Sequence, residues 1–92
     1  MSHTISIHPG QVLKDELDER GLSQTQLATH IGVLPKTINE ICRGKRGISA
    51  SMAVQLSRAL GASPAFWLNL QKNWELSQID ESRYRGISKL AA

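Results

Sequence analysis

The densest group of side chains that could do chemistry lies between residues 35 and 43. Its polar members are Lys36, Thr37, Asn39, Glu40 and Arg43. Ile38 and Ile41 recur among them at helical spacing, and we expect these two to face the core. Asparagine can pair with adenine through two hydrogen bonds, arginine or lysine can pair with guanine, and the threonine methyl can contact thymine. The residue types therefore predict a helix that reads base edges in the major groove, and we call it the recognition helix.

Glu40 is the one acidic member of this group and allows two interpretations. Its carboxylate can accept a hydrogen bond from cytosine. Alternatively it forms an ion pair on the helix surface with Lys36 or Arg43, each of which lies within about one helical turn. The ion pair is the favoured interpretation, and it gives Glu40 no part in reading bases.

Residues on either side of this group have types suited to phosphate contacts. Gln24 is the first residue of a predicted helix, where its amide and the exposed N–H groups can meet a phosphate, although capping alone also explains a polar residue there. Lys45 and Arg46 follow the recognition helix and can bind backbone phosphates. We expect these two cations to position the protein on DNA and not to select sequence.

Positive charge is concentrated in the same part of the chain. The net charge of the whole chain is only +3, but residues 21–74 carry six cations against Glu40 alone, a surplus of +5. Four of those cations lie within residues 36–46. Such a cluster is typical of a surface that binds a polyanion, and a solvated basic face with no ligand is the alternative.

Two short helices must position these side chains. Ser23 and Gln26 have the S-x-x-Q spacing of a capping box, which predicts a helix beginning at Gln24. Pro35 suits the first turn of the recognition helix. Helices this short are unstable alone, so we expect them to cross tightly over a shared apolar patch, as a helix-turn-helix unit at about residues 23–43.

Three further helices and no strand are predicted from apolar spacing, caps and glycine stops. The sequence thus predicts an all-α fold of five helices, at 9–20, 24–31, 35–42, from the Ser49 cap to Gly61, and from Pro64 at least to Leu76. We expect His8 to orient the chain as it enters the first helix. No clear period continues after Ser82, so the end of the chain is expected to be frayed or disordered.

The fifth helix is unusually apolar. Its large apolar residues cannot all share one stripe at 3.6 residues per turn, so some must point away from the core of their own subunit. They predict an interface with a second copy or a partner, with Phe66, Trp67, Leu70 and Trp74 as its residues. The alternative is a C-terminal helix that is fully buried within the chain.

Other classes of function find little support in the sequence. Ninety-two residues suit a single domain, and we find no nucleophile motif and no glycine-rich phosphate loop, so neither an enzyme nor a cofactor is predicted. His3, His8 and His30 lack metal-ligand spacing, and Cys42 is expected to fill the core.

The start of the chain lacks the build of a signal peptide and no apolar stretch is long enough to span a bilayer, which predicts a cytoplasmic protein without membrane contact. RNA binding is disfavoured, because no exposed aromatic platform accompanies the basic cluster.

Several blocks of sequence resemble the phage-repressor-like (Xre) helix-turn-helix family. They are LSQxxLAxxxGV at 22–33, PxTIN at 35–39 and GKRGI at 44–48. The HigA antitoxin group, also named after the virulence-associated protein VapI, is a more specific match. Its further blocks are HPG at 8–10, INEI at 38–41 and SPxFWLNLQ at 63–71, and the resemblance covers about residues 8–76.

The resemblance implies a homodimeric repressor that binds a near-palindromic operator in its own promoter. It also implies that the protein neutralises a cognate toxin, usually a HigB-like ribonuclease acting on ribosome-bound mRNA. A two-fold dimer would place two recognition helices in successive major grooves about 34 Å apart. The expected organisation is an arm at 1–7, a DNA-binding domain at 8–76 with dimer or partner contacts at about 64–78, and a tail at 77–92.

A second hypothesis keeps the scaffold but changes its use. In this alternative the helix-turn-helix unit is retained, and the main function is protein interaction through the fifth helix or the tail. The two hypotheses differ in one respect that can be measured, because only the first requires preference for a DNA sequence.

Overall fold

The computed structural model describes residues 6–91, and in this part of the chain the regular structure is entirely helical. The elements are α1 (Pro9–Arg20), α2 (Gln24–Ile31), α3 (Pro35–Cys42), α4 (Ala50–Leu60) and α5 (Pro64–Ser77), followed by a short 3₁₀ helix (Glu81–Tyr84). The prediction of an all-α, five-helix fold is confirmed. The predicted arm at residues 1–7 lies mostly outside the described residues.

Side-chain caps fix where the helices begin. The Ser23 hydroxyl accepts a hydrogen bond from the Gln26 N–H at 3.0 Å, and the Gln26 side chain accepts one from the Ser23 N–H at 2.7 Å, which completes the predicted capping box. Ser49 and Ser63 cap α4 and α5 in the same way through their hydroxyls. His8 caps α1, because its Nδ1 accepts a hydrogen bond from the Gly10 N–H at 2.9 Å. The sequence therefore encodes the start of most helices locally.

One apolar core joins the five helices. Helix α2 packs against α3 and α4, α5 packs against α4, and α1 contacts both α3 and α5. The buried apolar side chains of the core are Leu13, Leu17, Leu27, Ala28, Ile38, Ile41, Ile48, Met52, Ala53, Leu56, Leu60 and Trp67. Because α3 is packed between α1 and α2, its outer face has a fixed direction relative to the rest of the domain.

The N-terminus of α1 approaches the end of α3 very closely. A Cβ built on Gly10 would lie 1.7 Å from the carbonyl oxygen of Ile41, far inside any real contact. Gly10 is buried and its φ is not positive, so the glycine is needed for this backbone approach and not for its conformation.

The end of the chain makes little contact with the core. Every residue from 75 to 91 is exposed, including the apolar side chains of Leu76, Ile79, Ile87 and Leu90. The 3₁₀ helix in this segment was not predicted; it is capped by Asp80, whose carboxylate accepts a hydrogen bond from the Ser82 N–H at 3.1 Å. Among the helices of residues 6–91, none is long and apolar enough to cross a membrane.

Candidate nucleic-acid interface

Helix α3 presents a polar face to solvent. Ile38 and Ile41 are completely buried, which confirms the predicted inner side of this helix. Lys36, Asn39 and Arg43 are exposed on the outer side, whereas Thr37 and Glu40 are half-buried at its edges. The outer face therefore carries two cations and an amide, which are groups that can hydrogen-bond to base edges.

A hydrogen bond between α2 and α3 orients the amide of Asn39. Its Nδ2 donates to the Oε1 of Gln24 at 3.1 Å, on the exposed side of the helix-turn-helix unit. Asn39 keeps one amide hydrogen and its Oδ1 for a base edge, and Gln24 keeps its own amide hydrogens. The sequence identified both residues but not their contact, because they are 15 positions apart and meet only through the crossing of the two helices.

Glu40 forms an ion pair, but not with the residues that we predicted. Both Nε and Nη2 of Arg46 donate to Glu40 Oε1, at 3.0 and 2.8 Å. The hydrogen bond from Arg46 lowers the pKa of the Glu40 carboxyl. The prediction of Lys36 or Arg43 as the partner is wrong, because the chain turns back after α3 and brings the guanidinium over the helix. In this conformation Arg46 is not a free phosphate ligand.

That turn is a Schellman motif at the end of α3. Gly44 has a φ of 75°, and its N–H donates to the Ile41 carbonyl at 3.0 Å. The Lys45 N–H donates to the Glu40 carbonyl at 2.8 Å, which completes the pair of bonds that defines the motif. Lys45 leaves the turn exposed, on the chain segment that directly follows the recognition helix.

Gln71 was not assigned a role from the sequence. It is 8% exposed and lies on α5, where its side chain hydrogen-bonds the backbone of the loop after α3. The available signal was a polar residue four positions after Trp67, on the helix face that packs against the core. An amide at such a position requires a buried partner, but the sequence does not indicate which one.

The predicted interface residues of α5 lie in different environments. Trp67 is 1% exposed and belongs to the core of its own chain, which corrects its assignment to the interface. Phe66 is 43% exposed, and Leu70 is half-buried. Trp74 is also half-buried and packs edge-on against the imidazole of His8, with ring centroids 4.7 Å apart. The apolar surface that α5 exposes therefore includes Phe66 and Leu76, whereas Leu70 is partly packed against the core and Trp74 is partly covered.

His8 and Cys42 lie near α3, and both have structural roles. His8 caps α1, a role that the sequence did not predict but that orients the chain at the start of this helix, and burial lowers the pKa of its imidazole. Cys42 packs against the core as predicted, and burial raises the pKa of its thiol. Among residues 6–91, no three His, Cys, Asp or Glu side chains are grouped so as to hold a metal ion, and His3 lies outside this range.

Comparison with known proteins assigns the family. Residues 13–67 match a helix-turn-helix family model. Over 75 residues the chain is 45% identical to the virulence-associated protein A′ of Dichelobacter nodosus, a match that covers 80% of this chain and 65% of that protein, slightly less than two thirds of its length. The chain is also 38% identical over 81 residues to antitoxin HigA-1 of Vibrio cholerae, covering 87% of this chain and 75% of that one.

The fold is similar to solved antitoxin structures. The Pseudomonas aeruginosa antitoxin HigA, solved with the higBA promoter, superposes with a TM-score of 0.86 at 38% identity, covering 95% of this chain and all of that one. The helix order, the α2–α3 unit and the sequence similarity agree with one another. The chain therefore belongs to the helix-turn-helix family, in the group that contains the HigA antitoxins and the related virulence-associated proteins.

Proposed function

We propose that this chain is a sequence-specific transcriptional repressor that acts as the antitoxin of a type II toxin–antitoxin pair. The observation that carries the proposal is the outer face of α3, where Lys36, Asn39 and Arg43 are exposed and Gln24 orients the Asn39 amide. This face lies in the segment with the surplus of +5 charges. The HigA of P. aeruginosa, which has this fold, was solved with promoter DNA.

In this proposal α3 enters the major groove. Asn39 pairs with adenine through its free Oδ1 and its remaining amide hydrogen, while Lys36 and Arg43 pair with guanine. Thr37 lies at the edge of the face and contacts a thymine methyl. Gln24 accepts a hydrogen bond from Asn39 and donates one to a phosphate. The Gln24 side chain thus positions the protein on DNA and also orients the Asn39 amide that contacts a base.

Lys45 and Arg46 supply further phosphate contacts beside the groove. Lys45 is exposed and has no competing carboxylate partner among the described residues. Arg46 can reach a phosphate only by leaving or sharing its ion pair with Glu40. Binding by these groups predicts a marked salt dependence, with a log–log slope of about 0.9 per phosphate neutralised.

The remaining parts of the proposal concern assembly and partners. Two copies bind a near-palindromic operator as a homodimer, in which Phe66 and Leu70 of α5 contribute to the dimer or partner interface. The antitoxin name of the V. cholerae relative supports a cognate toxin as the second partner, and the resemblance implies that this toxin is a HigB-like ribonuclease. The chain acts by binding, without catalysis or a cofactor, in the cytoplasm.

The first test is a fluorescence-anisotropy titration of the protein against a duplex covering its own upstream region and a scrambled duplex of equal length. We expect the upstream duplex to bind at least about a thousandfold more tightly. Asn39→Ala should reduce that preference, whereas Thr25→Ala, at an exposed position on α2, is the control. Equal and weak binding to both duplexes, steeply dependent on salt, would contradict the proposal.

The exposed side chains of α5 favour a second candidate, a module whose main function is protein interaction. Phe66 is 43% and Leu76 is 62% exposed, an apolar surface that suits a protein partner. The titration against the upstream and scrambled duplexes distinguishes the two, because only the first requires preference for a DNA sequence. This candidate gains if the partner is bound while no DNA sequence is preferred, and it fails if operator preference is present.

A further inference from the structure

A buried amide holds the loop that follows the recognition helix. Gln71 of α5 accepts a hydrogen bond at its Oε1 from the backbone N–H of Ile48, at 2.8 Å. Its Nε2 donates to Glu75 Oε2 at 2.6 Å, one turn further along α5. Both ends of the amide thus have partners, and the amide has one orientation in which its donor and acceptor are satisfied.

Gly47 makes room for this amide. A Cβ built on Gly47 would lie 2.7 Å from Gln71 Nε2 and 2.9 Å from its Oε1, closer than real Cβ atoms come. The φ of Gly47 is not positive, so its backbone conformation does not require glycine. The close approach of the Gln71 amide is therefore the physical reason for glycine at this position.

Most of the loop is not packed into the core. A hollow beneath it is lined by Thr37, Met52 and Gln71, and the loop residues Lys45, Arg46 and Gly47 are exposed. The side chain of Ile48 is buried in the core. The Ile48 N–H thus anchors the loop to α5 from one side, while the ion pair of Arg46 anchors it to α3 from the other.

We propose that Gln71 is a positioning residue for DNA binding, which fixes the loop of residues 44–48 so that the exposed Lys45 meets a phosphate beside the recognition helix, as Arg46 does when it shares its ion pair with Glu40. This inference rests on the proposed function, because it requires those cations to contact DNA. Gln71 itself touches no DNA; it limits the freedom of the loop before binding, so the complex forms at a smaller cost in conformational entropy.

The experiment uses the full chain with Gln71→Met, which removes both hydrogen bonds and keeps most of the side-chain volume. We expect affinity for the upstream duplex to fall about tenfold, and the salt slope to decrease by about 0.9 for each phosphate that the loop no longer neutralises. Hydrogen exchange at the Ile48 amide should become faster. Asn73→Ala, an exposed amide on the same helix, is the matched control and should change none of these.

Combination with loop variants separates positioning from a general decrease in stability. In a Lys45→Ala, Arg46→Ala background, adding Gln71→Met should cost little further affinity, because the cations that it positions are already absent. Gly47→Ala should reproduce the effect of Gln71→Met by displacing the amide, and it serves as the second variant if Gln71→Met does not fold.

Two results overturn the inference alone. One is an unchanged affinity and slope for Gln71→Met while the wild-type chain prefers its operator. The other is a tenfold decrease in affinity that is the same with and without Lys45 and Arg46. Failure of the proposed function is distinguishable, since it is seen in the wild-type titration itself as equal binding to both duplexes.

Discussion

Replacing Gly10 with alanine tests how α1 fixes the position of the recognition helix. Helix propensity favours alanine over glycine by about 1 kcal/mol, so an isolated helix would become more stable. In the folded chain the added Cβ would lie 1.7 Å from the Ile41 carbonyl oxygen and 2.7 Å from its carbonyl carbon. Both atoms are backbone, so no change of rotamer relieves the contact. We therefore expect Gly10→Ala to be destabilising.

The magnitude follows from the displacement required. To reach the 3.0 Å at which Cβ contacts become possible, α1 and the end of α3 must separate by more than about 1 Å in a close-packed region. Overpacking costs about 1–3 kcal/mol, and we take the upper end because both contacted atoms are backbone; alanine's helix propensity offsets about 1 kcal/mol of it. We expect a net destabilisation of about 2 kcal/mol, which lowers the Tm by about 8–16 °C in a domain of this size.

Thermal and urea unfolding, followed by circular dichroism, measure this destabilisation. Gly86→Ala is the matched control, because a Cβ there meets no atom within 4 Å and its φ is not positive. Displacement of α3 should also weaken operator binding. A Gly10→Ala chain as stable as the wild type would refute the close packing of α1 against α3.

Three further predictions concern a helix cap, a histidine and an ion pair. Ser23→Ala should reduce the free energy of unfolding by about 1 kcal/mol in urea titrations, and adding Gln26→Ala should cost less than its effect alone, because the two side chains form one capping box. His8 has its pKa lowered from 6.5 by burial, so its neutral form is favoured in the folded chain. The stability that neutral His8 contributes is therefore complete above pH 6.5, and it is lost as the pH falls from there through the lowered pKa. His8→Asn retains a capping oxygen but does not titrate, so it should remove this part of the pH dependence of urea unfolding. Glu40→Ala should free Arg46, raising affinity for a scrambled duplex and steepening the salt slope by up to about 0.9, whereas a selective decrease in operator affinity would instead assign Glu40 to base reading.

Local sequence signals determined most of the secondary structure. The S-x-x-Q pattern at Ser23, the Ser–Pro pair at Ser63 and the prolines at helix starts act within one turn of chain. The spacing of Ile38 and Ile41 was enough to identify the inner face of α3, because helical geometry fixes which side chains lie opposite. The candidate base-reading residues followed from that face alone.

Tertiary structure decided the contacts between residues that are distant in sequence. Periodicity could not indicate which apolar residues of α5 face the core, since they surround the helix; packing against α4 and α1 buried Trp67 and left Phe66 exposed. The partner of Glu40 likewise depended on the path of the chain after Gly44, which brings Arg46 back over α3.

The same distinction explains the two amides that organise the candidate site. Gln24 and Asn39 were identified by their residue types and helical positions, but their hydrogen bond exists only because α2 and α3 cross at that point. Gln71 lies 23 residues from the N–H that it accepts from, and only the packing of α5 against α4 brings the two together. Sequence determined the helices and, except in α5, their inner faces, because these depend on neighbours along the chain; the structure decided which polar groups meet, because that depends on how the helices cross.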